Sequence, residues 1–329
     1  MSFSSFVKQK GYSLAAAAIL LFALVHSWDE LRDKFSPAPK VDIFRNKSIT
    51  RYAFVTGGTK GIGFEYCRQL VVRDLGCVFT GTSQQSMDKA MSKFVKEFPQ
   101  AKFVGLVMNI LDTEGSTATI EKTFKELDPA LVALNADWEL QEPSTFLSSK
   151  ALQGMVQGNV VTNTMISQYF VKRWIQTKQT GILLGISSVA TPFPIQSADA
   201  YSATRAYQSR YWEILRDHCE RHYSQYVRVV LVETGPVSTE AFKKLPKDLY
   251  ERGEPLSFPP REFVQQVLFQ VFEQNRRHVI VGQAFKVLKT LQKFGINFDL
   301  GEYPVMERDF DHLEFQFIPD EHPFKKQLQ

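Results

Sequence analysis

Cysteine is scarce in this sequence, and its pattern argues against a disulfide framework. Only three cysteines occur among 329 residues. They are Cys67, Cys77 and Cys219, an odd number at unrelated spacings, and two of them fall in apolar stretches. Thiols in such positions are typical of reduced side chains in a hydrophobic core. We therefore expect no structural disulfide.

Clustered charge is missing as well. The 39 basic and 35 acidic residues are spread along the chain and give a formal net charge of +4. Proteins that bind nucleic acids usually concentrate Lys and Arg in one run or on one face, and no such run is present. Metal-ligand spacing is also lacking, because His218 and His222 have neither the Glu at the second position nor the third ligand of a helical zinc motif. We expect no nucleic-acid partner and no metal site.

An uninterrupted apolar run is present near the start of the chain, at residues 14–25. With a few polar residues tolerated it extends from Tyr12 to Trp28, about 26 Å as a helix, with an aromatic residue at each end. A cleaved signal peptide and a soluble helix are the alternatives, but no small-residue cleavage site follows the run. More basic residues follow the run than precede it, which predicts a single anchor with the following domain in the cytosol.

From residue 51 onward, short apolar runs alternate with longer amphipathic stretches. This alternation predicts an α/β fold, a Rossmann-type doubly wound parallel sheet of about seven strands behind an N-terminal membrane-anchor helix. We assign residues 1–49 to the anchor and linker, 50–282 to the Rossmann domain and 283–329 to a C-terminal helix and tail. After the strand expected at residue 51, further strands are expected at residues 77–81, 102–109, 130–135, 181–187, 226–233 and 278–281.

A glycine-rich turn follows the first strand, with the sequence Thr-Gly-Gly-Thr-Lys-Gly-Ile-Gly at residues 56–63. Because Gly57, Gly61 and Gly63 lack a Cβ, the backbone can turn tightly and approach a pyrophosphate closely. The helix that begins at this turn directs its N–H groups and positive dipole end at such an anion. The turn is therefore a predicted phosphate-binding site.

This turn resembles the glycine motif of the short-chain dehydrogenase/reductase family, and the resemblance extends over about residues 50–282. Asn135-Ala136 closes the fourth strand as in that family, and a serine and a tyrosine follow at the expected intervals. The resemblance implies that Tyr201 donates a proton to a carbonyl oxygen held by Ser188, while a nicotinamide supplies hydride. The implied catalytic residues are Asn159, Ser188, Tyr201 and Arg205.

The sequence departs from the family pattern at three positions. The family's Tyr-x-x-x-Lys ends here in Arg205, and Asp137 replaces the glycine that usually follows Asn-Ala. The segment before Gly235 also lacks the family's proline. A guanidinium four residues after Tyr201 favours the phenolate by its charge, but it does not release a proton as an ammonium can. A catalytically impaired fold acting as a nucleotide-binding or scaffolding protein is therefore the alternative.

NADP(H) is the predicted cofactor. The second strand ends without the acidic residue that would bind a free ribose 2′-hydroxyl, and Lys60 lies in the glycine turn where NADP-using relatives often carry a basic residue. The resemblance implies a larger set of cofactor contacts. These are Gly57, Thr59, Lys60, Gly61, Ile62, Gly63, Thr82, Ser83, Asn109, Ile110, Asn135, Ala136, Tyr201, Arg205, Gly235, Val237 and Thr239.

The predicted substrate is a hydrophobic lipid ketone. An anchored chain of this kind resembles the membrane-bound group of very-long-chain 3-oxoacyl-CoA reductases and 17β-hydroxysteroid dehydrogenases, which implies the endoplasmic reticulum membrane as location. Loops at about residues 138–150, 189–198 and 236–259 carry apolar side chains, including Trp138 and Phe242, as expected of an apolar site. Besides substrate and membrane, a second copy of the chain is the expected partner, as a homodimer.

Overall fold

The computed structural model describes residues 32–33, 35, 38–44, 50–138, 144–189, 191, 198–245, 247–282 and 286–287. The predicted anchor at residues 12–28 and most of the predicted C-terminal helix lie outside these residues. In the described part of the chain, no helix is long and apolar enough to cross a membrane.

A single seven-stranded sheet forms the centre of the described fold. Its strands are β1 Arg51–Val55, β2 Gly76–Gly81, β3 Phe103–Val107, β4 Asp128–Leu134, β5 Gly181–Ser188, β6 Val227–Thr234 and β7 His278–Ile280. They are ordered β3-β2-β1-β4-β5-β6-β7, and all neighbours are parallel. The predicted doubly wound sheet is confirmed. The order reverses between β1 and β4, so a crevice opens there at the carboxyl ends of the strands.

Helices cover both faces of this sheet. They are α1 Gly61–Val71, α2 Gln84–Glu97, α3 Thr113–Phe124, α4 Ser149–Val156, α5 Asn163–Thr177, α6 Asp199–His222, α7 Lys247–Gly253 and α8 Pro260–Phe272. Short 3-10 turns lie at Ser144–Phe146, Phe242–Lys244 and Glu254–Leu256. The sequence predicts one helical stretch over residues 148–178, whereas a π-helical segment, Gln157–Thr162, divides it into α4 and α5.

The core has two layers because the strands are buried on both faces. In β1, Ala53 and Val55 pack on the side of α1, α2 and α8, whereas Tyr52 and Phe54 pack on the side of α3, α5 and α6. Strands covered on both faces need apolar residues at successive positions, which accounts for the continuous apolar runs in the sequence.

Residues 38–44, which the sequence assigns to the linker, pack against the amino ends of the strands. The Thr180 hydroxyl donates to the Asp42 carbonyl oxygen at 2.8 Å. One guanidinium nitrogen of Arg51 donates to the Ile43 carbonyl oxygen at 3.0 Å. Ile43 itself is 1% exposed and belongs to the core. This segment therefore contributes to the folded domain, on the edge opposite the crevice.

Candidate active site

The glycine turn lies at the carboxyl end of β1 and cannot accept side chains at Gly57, Gly61 and Gly63. Gly57 and Gly61 have φ values of +70° and +59°, in the left-handed region that favours glycine. A Cβ on Gly63 would collide with the Gly57 carbonyl oxygen. The turn therefore keeps a bare backbone surface at the start of α1.

Thr56 fixes this turn against the neighbouring strand. Its Oγ1 accepts hydrogen bonds from the backbone N–H groups of Asn135 and Ala136, both at 2.9 Å. The Asn135 side-chain amide donates to the Thr56 carbonyl oxygen at 3.1 Å. The two predicted cofactor-binding segments, after β1 and after β4, are thus locked together.

The start of α1 has the features of an anion site. Lys60 is the N-cap residue and makes no side-chain capping bond, and the first turn contains no acidic residue. The first backbone N–H groups of the helix, those of Gly61, Ile62 and Gly63, are therefore not capped by the Lys60 side chain. Thr59 places its methyl group where a Cβ on Gly81 would lie. The bare turn and uncapped helix end fit a pyrophosphate.

The ends of β2 and β3 supply the other side of the crevice. Thr82 and Ser83 are exposed directly after β2, and the Ser83 hydroxyl accepts a bond from the first turn of α2. After β3, Asn109 is exposed and Ile110 is buried. The predicted adenosine-side residues thus share the edge that carries the glycine turn.

The segment after β6 also reaches the glycine turn. The methyl carbon of Thr239 lies 3.3 Å from the position that a Cβ on Gly61 would occupy. Val237 is buried and forms a bridge with Phe258. Gly235 begins this segment, directly after β6. Residues from the ends of five strands, β1, β2, β3, β4 and β6, therefore lie at one crevice.

Tyr201 and Arg205 lie one turn apart near the start of α6. The guanidinium carbon of Arg205 is 5.5 Å from the centroid of the Tyr201 ring. The Tyr201 hydroxyl donates a hydrogen bond to Asp137 Oδ2 at 3.2 Å, and Arg205 Nη1 lies 3.3 Å from the same oxygen. Two of the departures from the family pattern, Asp137 and Arg205, thus contact one another. Sequence reasoning predicted the tyrosine–arginine pair but not its carboxylate partner.

Asn159 lies in the π-helical segment and is fully buried. Its Oδ1 accepts from the Trp138 N–H at 2.7 Å, while its Nδ2 donates to the Trp138 carbonyl oxygen at 3.0 Å. The same Nδ2 donates to Thr204 Oγ1 at 3.1 Å. The side chain therefore fixes the backbone beside Asp137 to helix α6. A π-helical irregularity at such a residue is frequent in functional sites.

Gln208 completes this polar network. Its Oε1 accepts from Arg205 Nη1 at 2.8 Å, and its Nε2 donates to the Asn159 carbonyl oxygen at 2.7 Å. Sequence reasoning missed Gln208, although its position three residues after Arg205 places it on the same helix face. It also left Asp137 out of the site residues. The missed signal was that Asp137 and Arg205 are both departures from one motif set.

Ser188 is the last residue of β5, paired with Thr234 at the end of β6. The preceding Ser187 is buried, and its hydroxyl donates to the Arg205 carbonyl oxygen at 3.0 Å. This bond ties the end of β5 to the first turns of α6. The strand end with Ser188 and the helix with Tyr201 are thus held together.

Thiolate chemistry is disfavoured by the burial of the cysteines. Burial raises the pKa of the Cys67 thiol well above its usual value and that of Cys219 to about 12, so neither forms a thiolate near neutral pH. All three cysteines are free and buried. Among the residues described, no group of three His, Cys, Asp or Glu side chains is arranged to hold a metal ion.

Comparison with known families agrees with this geometry. The family model described as short chain dehydrogenase matches residues 51–249. The match covers the glycine turn, the Asn135 segment and the first turns of α6.

Individual relatives are more distant. A very-long-chain 3-oxoacyl-CoA reductase of Macaca fascicularis is 24% identical over 244 residues, 71% of this chain and 74% of the relative. A 3alpha-hydroxysteroid dehydrogenase of Mediterraneibacter gnavus is 26% identical over 156 residues, 47% of this chain and 62% of that enzyme.

A solved structure from work on 7beta-hydroxysteroid dehydrogenase stereoselectivity has a similar fold. It superposes with a TM-score of 0.66 at 16% sequence identity, covering 75% of this chain and 93% of that one.

Proposed function

Because this chain belongs to the short-chain dehydrogenase family, an oxidoreductase family, we propose that it uses NADP(H) to reduce the carbonyl group of a hydrophobic ketone. The carrying observation is the Tyr201 phenol at the start of α6. It is hydrogen-bonded to a carboxylate at the sheet edge that bears the glycine turn.

Each residue at this edge has a role in the proposed reaction. Bound NADPH would supply hydride to the carbonyl carbon. Tyr201 donates its phenolic proton to the oxygen, which the Ser188 hydroxyl orients. Arg205 favours the phenolate that remains, and Asn159 fixes the Asp137 backbone beside it. The glycine turn and the start of α1 would hold the pyrophosphate.

The preference for NADP(H) over NAD(H) rests on the adenosine side of the crevice. Lys60 is exposed at the start of α1, where a cation can pair with a 2′-phosphate. The residues after β2, Thr82 and Ser83, provide no carboxylate for a free 2′-hydroxyl.

A hydrophobic substrate is favoured by the surroundings of Tyr201. Met155 and Ala198 are fully buried against Tyr201, and Leu147 packs on this cluster. The Trp138 ring lies directly over Gly154 nearby. Apolar side chains therefore pack against Tyr201. The two relatives, by name a very-long-chain 3-oxoacyl-CoA reductase and a 3alpha-hydroxysteroid dehydrogenase, support the same substrate class.

We further propose that residues 12–28 anchor the chain in the endoplasmic reticulum membrane with the described domain in the cytosol. Residues 46–48 form an Asn-Lys-Ser glycosylation sequon just after the anchor, so they report on its orientation. A cytosolic domain leaves Asn46 unmodified. A loss of mass on glycosidase treatment would show that Asn46 is glycosylated and that the orientation is the opposite one. Complete release of the chain from membranes by alkaline carbonate would exclude the anchor.

A homodimer is part of the proposal as well. Met165 on α5 and Tyr207 and Ile214 on α6 are large apolar side chains with 41%, 42% and 57% exposure. Apolar side chains on neighbouring helices are typical of a surface that pairs with a second copy. We expect sedimentation of the solubilised chain to give twice the monomer mass. The mass of a monomer at micromolar concentration would contradict the homodimer.

Nucleotide binding without turnover is the second candidate, because the Asp137 carboxylate lies against the cation meant to activate Tyr201. The two functions are separated by measuring NADPH affinity and NADPH oxidation in parallel. The ketone panel should contain 3-oxoacyl-CoA esters of several lengths and oxidised steroids. Oxidation with an apolar ketone supports the enzyme, whereas micromolar affinity without oxidation across the panel supports the binding protein.

A further inference from the structure

Two departures from the family pattern form one contact in this structure. Asp137 and Arg205 are separated by 68 positions in the chain, yet a carboxylate oxygen of the first lies 3.3 Å from a guanidinium nitrogen of the second. The Arg205 side chain is 5% exposed and that of Asp137 is 27% exposed. A buried guanidinium requires a compensating partner, so an arginine at 205 and a carboxylate at 137 are matched to each other.

The same carboxylate oxygen also contacts the reacting phenol. Tyr201 Oη donates to Asp137 Oδ2 at 3.2 Å, so one oxygen atom is shared between the proposed proton donor and the cation. Asp137 and Arg205 are thus two charged side chains in contact with Tyr201. Asp199, two residues before Tyr201, bonds instead to Ser144.

Hydrogen bonds of Asn159 and Gln208 hold the Asp137 segment and Arg205 in place. Asn159 bonds both the N–H and the carbonyl of Trp138, the residue that follows Asp137. Gln208 bonds Arg205 with one end and the Asn159 backbone with the other. These contacts close a ring of hydrogen bonds around the Asp137–Arg205 pair and fix the carboxylate beside the phenol.

The proton balance of the reduction requires a group that returns a proton to Tyr201. In each reduction Tyr201 loses its phenolic proton to the substrate oxygen, and the phenolate must regain a proton before the next turnover. Arg205 cannot supply one, because a guanidinium does not deprotonate at working pH. A carboxyl group exchanges protons readily, and as a stronger acid than a phenol it transfers a proton to a phenolate favourably.

Building on the proposed reductase function, we propose that Asp137 is the proton-relay residue of this site, returning a solvent proton to Tyr201 after each reduction. The partly exposed carboxylate takes a proton from a hydronium ion or a buffer acid in the solvent, which leaves water or the buffer base behind. Its O–H bond then breaks as the Tyr201 O–H bond re-forms, and the carboxylate returns to its pairing with Arg205. In the oxidative direction the same steps run in reverse.

Chemical rescue tests this relay. Asp137→Gly removes the carboxylate and leaves space, so kcat should fall about tenfold or more, and added formate should restore a large part of it. Asp137→Asn fills the space without an exchangeable acid, so it should lose a similar share of kcat and respond little to formate. Asp217→Asn, an exposed carboxylate at the far end of α6, is the matched control and should behave as the native chain.

The family-like pair provides a second test. Asp137→Gly with Arg205→Lys restores an ammonium that can itself pass a proton, so the double variant should exceed both single variants in kcat. Melting temperature and NADPH affinity, measured on every variant, show whether each one is folded and binds nucleotide. An unchanged kcat in Asp137→Gly, or a loss that neither formate nor Arg205→Lys relieves, would overturn the relay.

A ligand-free readout tests the coupling without turnover. The tyrosinate absorbance of Tyr201 is the difference between the native chain and Tyr201→Phe during an alkaline titration. In Asp137→Asn the Arg205 charge is no longer compensated, so this difference should develop at lower pH than in the native chain. No displacement would overturn the contact on which the relay depends.

The two proposals fail in different ways. A native chain that turns over no ketone in the panel ends both the reductase function and the relay. A native chain that turns over while Asp137→Gly is equally fast ends the relay alone.

Discussion

Lys60 is the residue on which the proposed preference for NADP(H) rests. Its exposed side chain caps nothing at the start of α1, so a 2′-phosphate is the partner we expect for its charge. Lys60→Ala should weaken NADPH binding about tenfold, as loss of one charge-assisted contact does, and leave NADH binding nearly unchanged. Fluorescence titration with both nucleotides measures this.

The control for this titration is Lys122→Ala, an exposed lysine on α3. It should change neither affinity. Equal losses for NADPH and NADH in Lys60→Ala would show that the ammonium does not contact the phosphate.

Local residues of the site were predictable and long-range partners were not. The glycine turn and the Tyr201–Arg205 pair depend on spacings of four to six residues, which the sequence displays directly. The Asp137 contact joins segments 68 positions apart and depends on side-chain geometry that no local pattern records. The role of Asn159 in holding Trp138 depends on a buried backbone segment in the same way.

At the scale of elements, the packing of β5 against α6 depends on a glycine. A Cβ on Gly185 would overlap the Trp212 indole, which is 1% exposed. Gly185→Ala should therefore lower the free energy of unfolding by about 1–3 kcal/mol through overpacking. Urea unfolding measures the loss.

Trp212→Phe provides the matched second site for this test, because a smaller ring makes room for the new methyl group. The double variant should be more stable than the sum of the two single losses predicts. Strict additivity would mean that the glycine and the indole do not limit each other.

Strand positions were predictable to within a few residues, because continuous apolar runs are required of strands buried on both faces. The division of the predicted helical stretch at 148–178 into two helices was not predictable from the sequence. A π-helical segment of six residues hardly changes the apolar periodicity, and its cause is tertiary, since Asn159 there bonds Trp138 and Thr204.

At the scale of the whole molecule, residues 38–44 are part of the stable domain. Ile43 is 1% exposed and its carbonyl oxygen accepts a bond from Arg51. Ile43→Ala should cost about 2–5 kcal/mol in the free energy of unfolding, as for other buried aliphatic side chains. Lys40→Ala, an exposed neighbour, should change it by less than about 0.5 kcal/mol.

If residues 38–44 only connected the anchor to the fold, Ile43→Ala would unfold at the same urea concentration as the native chain. That result would contradict the prediction. The sequence did not show the packing, because seven residues with two prolines close by carry no periodic pattern to read.

Stability should also fall in alkaline solution. Burial raises the pKa of Cys67 and raises that of Cys219 to about 12, whereas a thiol in the unfolded chain titrates near pH 8.5. Above about pH 9 the unfolded state therefore loses thiol protons that the folded state keeps. The contribution of these thiols to the free energy of unfolding should be constant below this pH and decrease from pH 9 towards 12.

Urea unfolding at a series of pH values measures this slope, and Cys219→Ala should reduce it. A native chain whose stability is the same at pH 7.5 and pH 10.5 would contradict the buried, protonated state of these thiols.

Tyr201 is the proton donor of the proposed nucleotide-dependent ketone reductase. The most direct measurement is NADPH oxidation by the native chain and by Tyr201→Phe with the best ketone of the panel, beside NADPH affinity for both. The phenylalanine removes only the hydroxyl, so kcat should fall about a hundredfold or more while affinity stays within about threefold. Equal turnover by the two proteins would contradict the account.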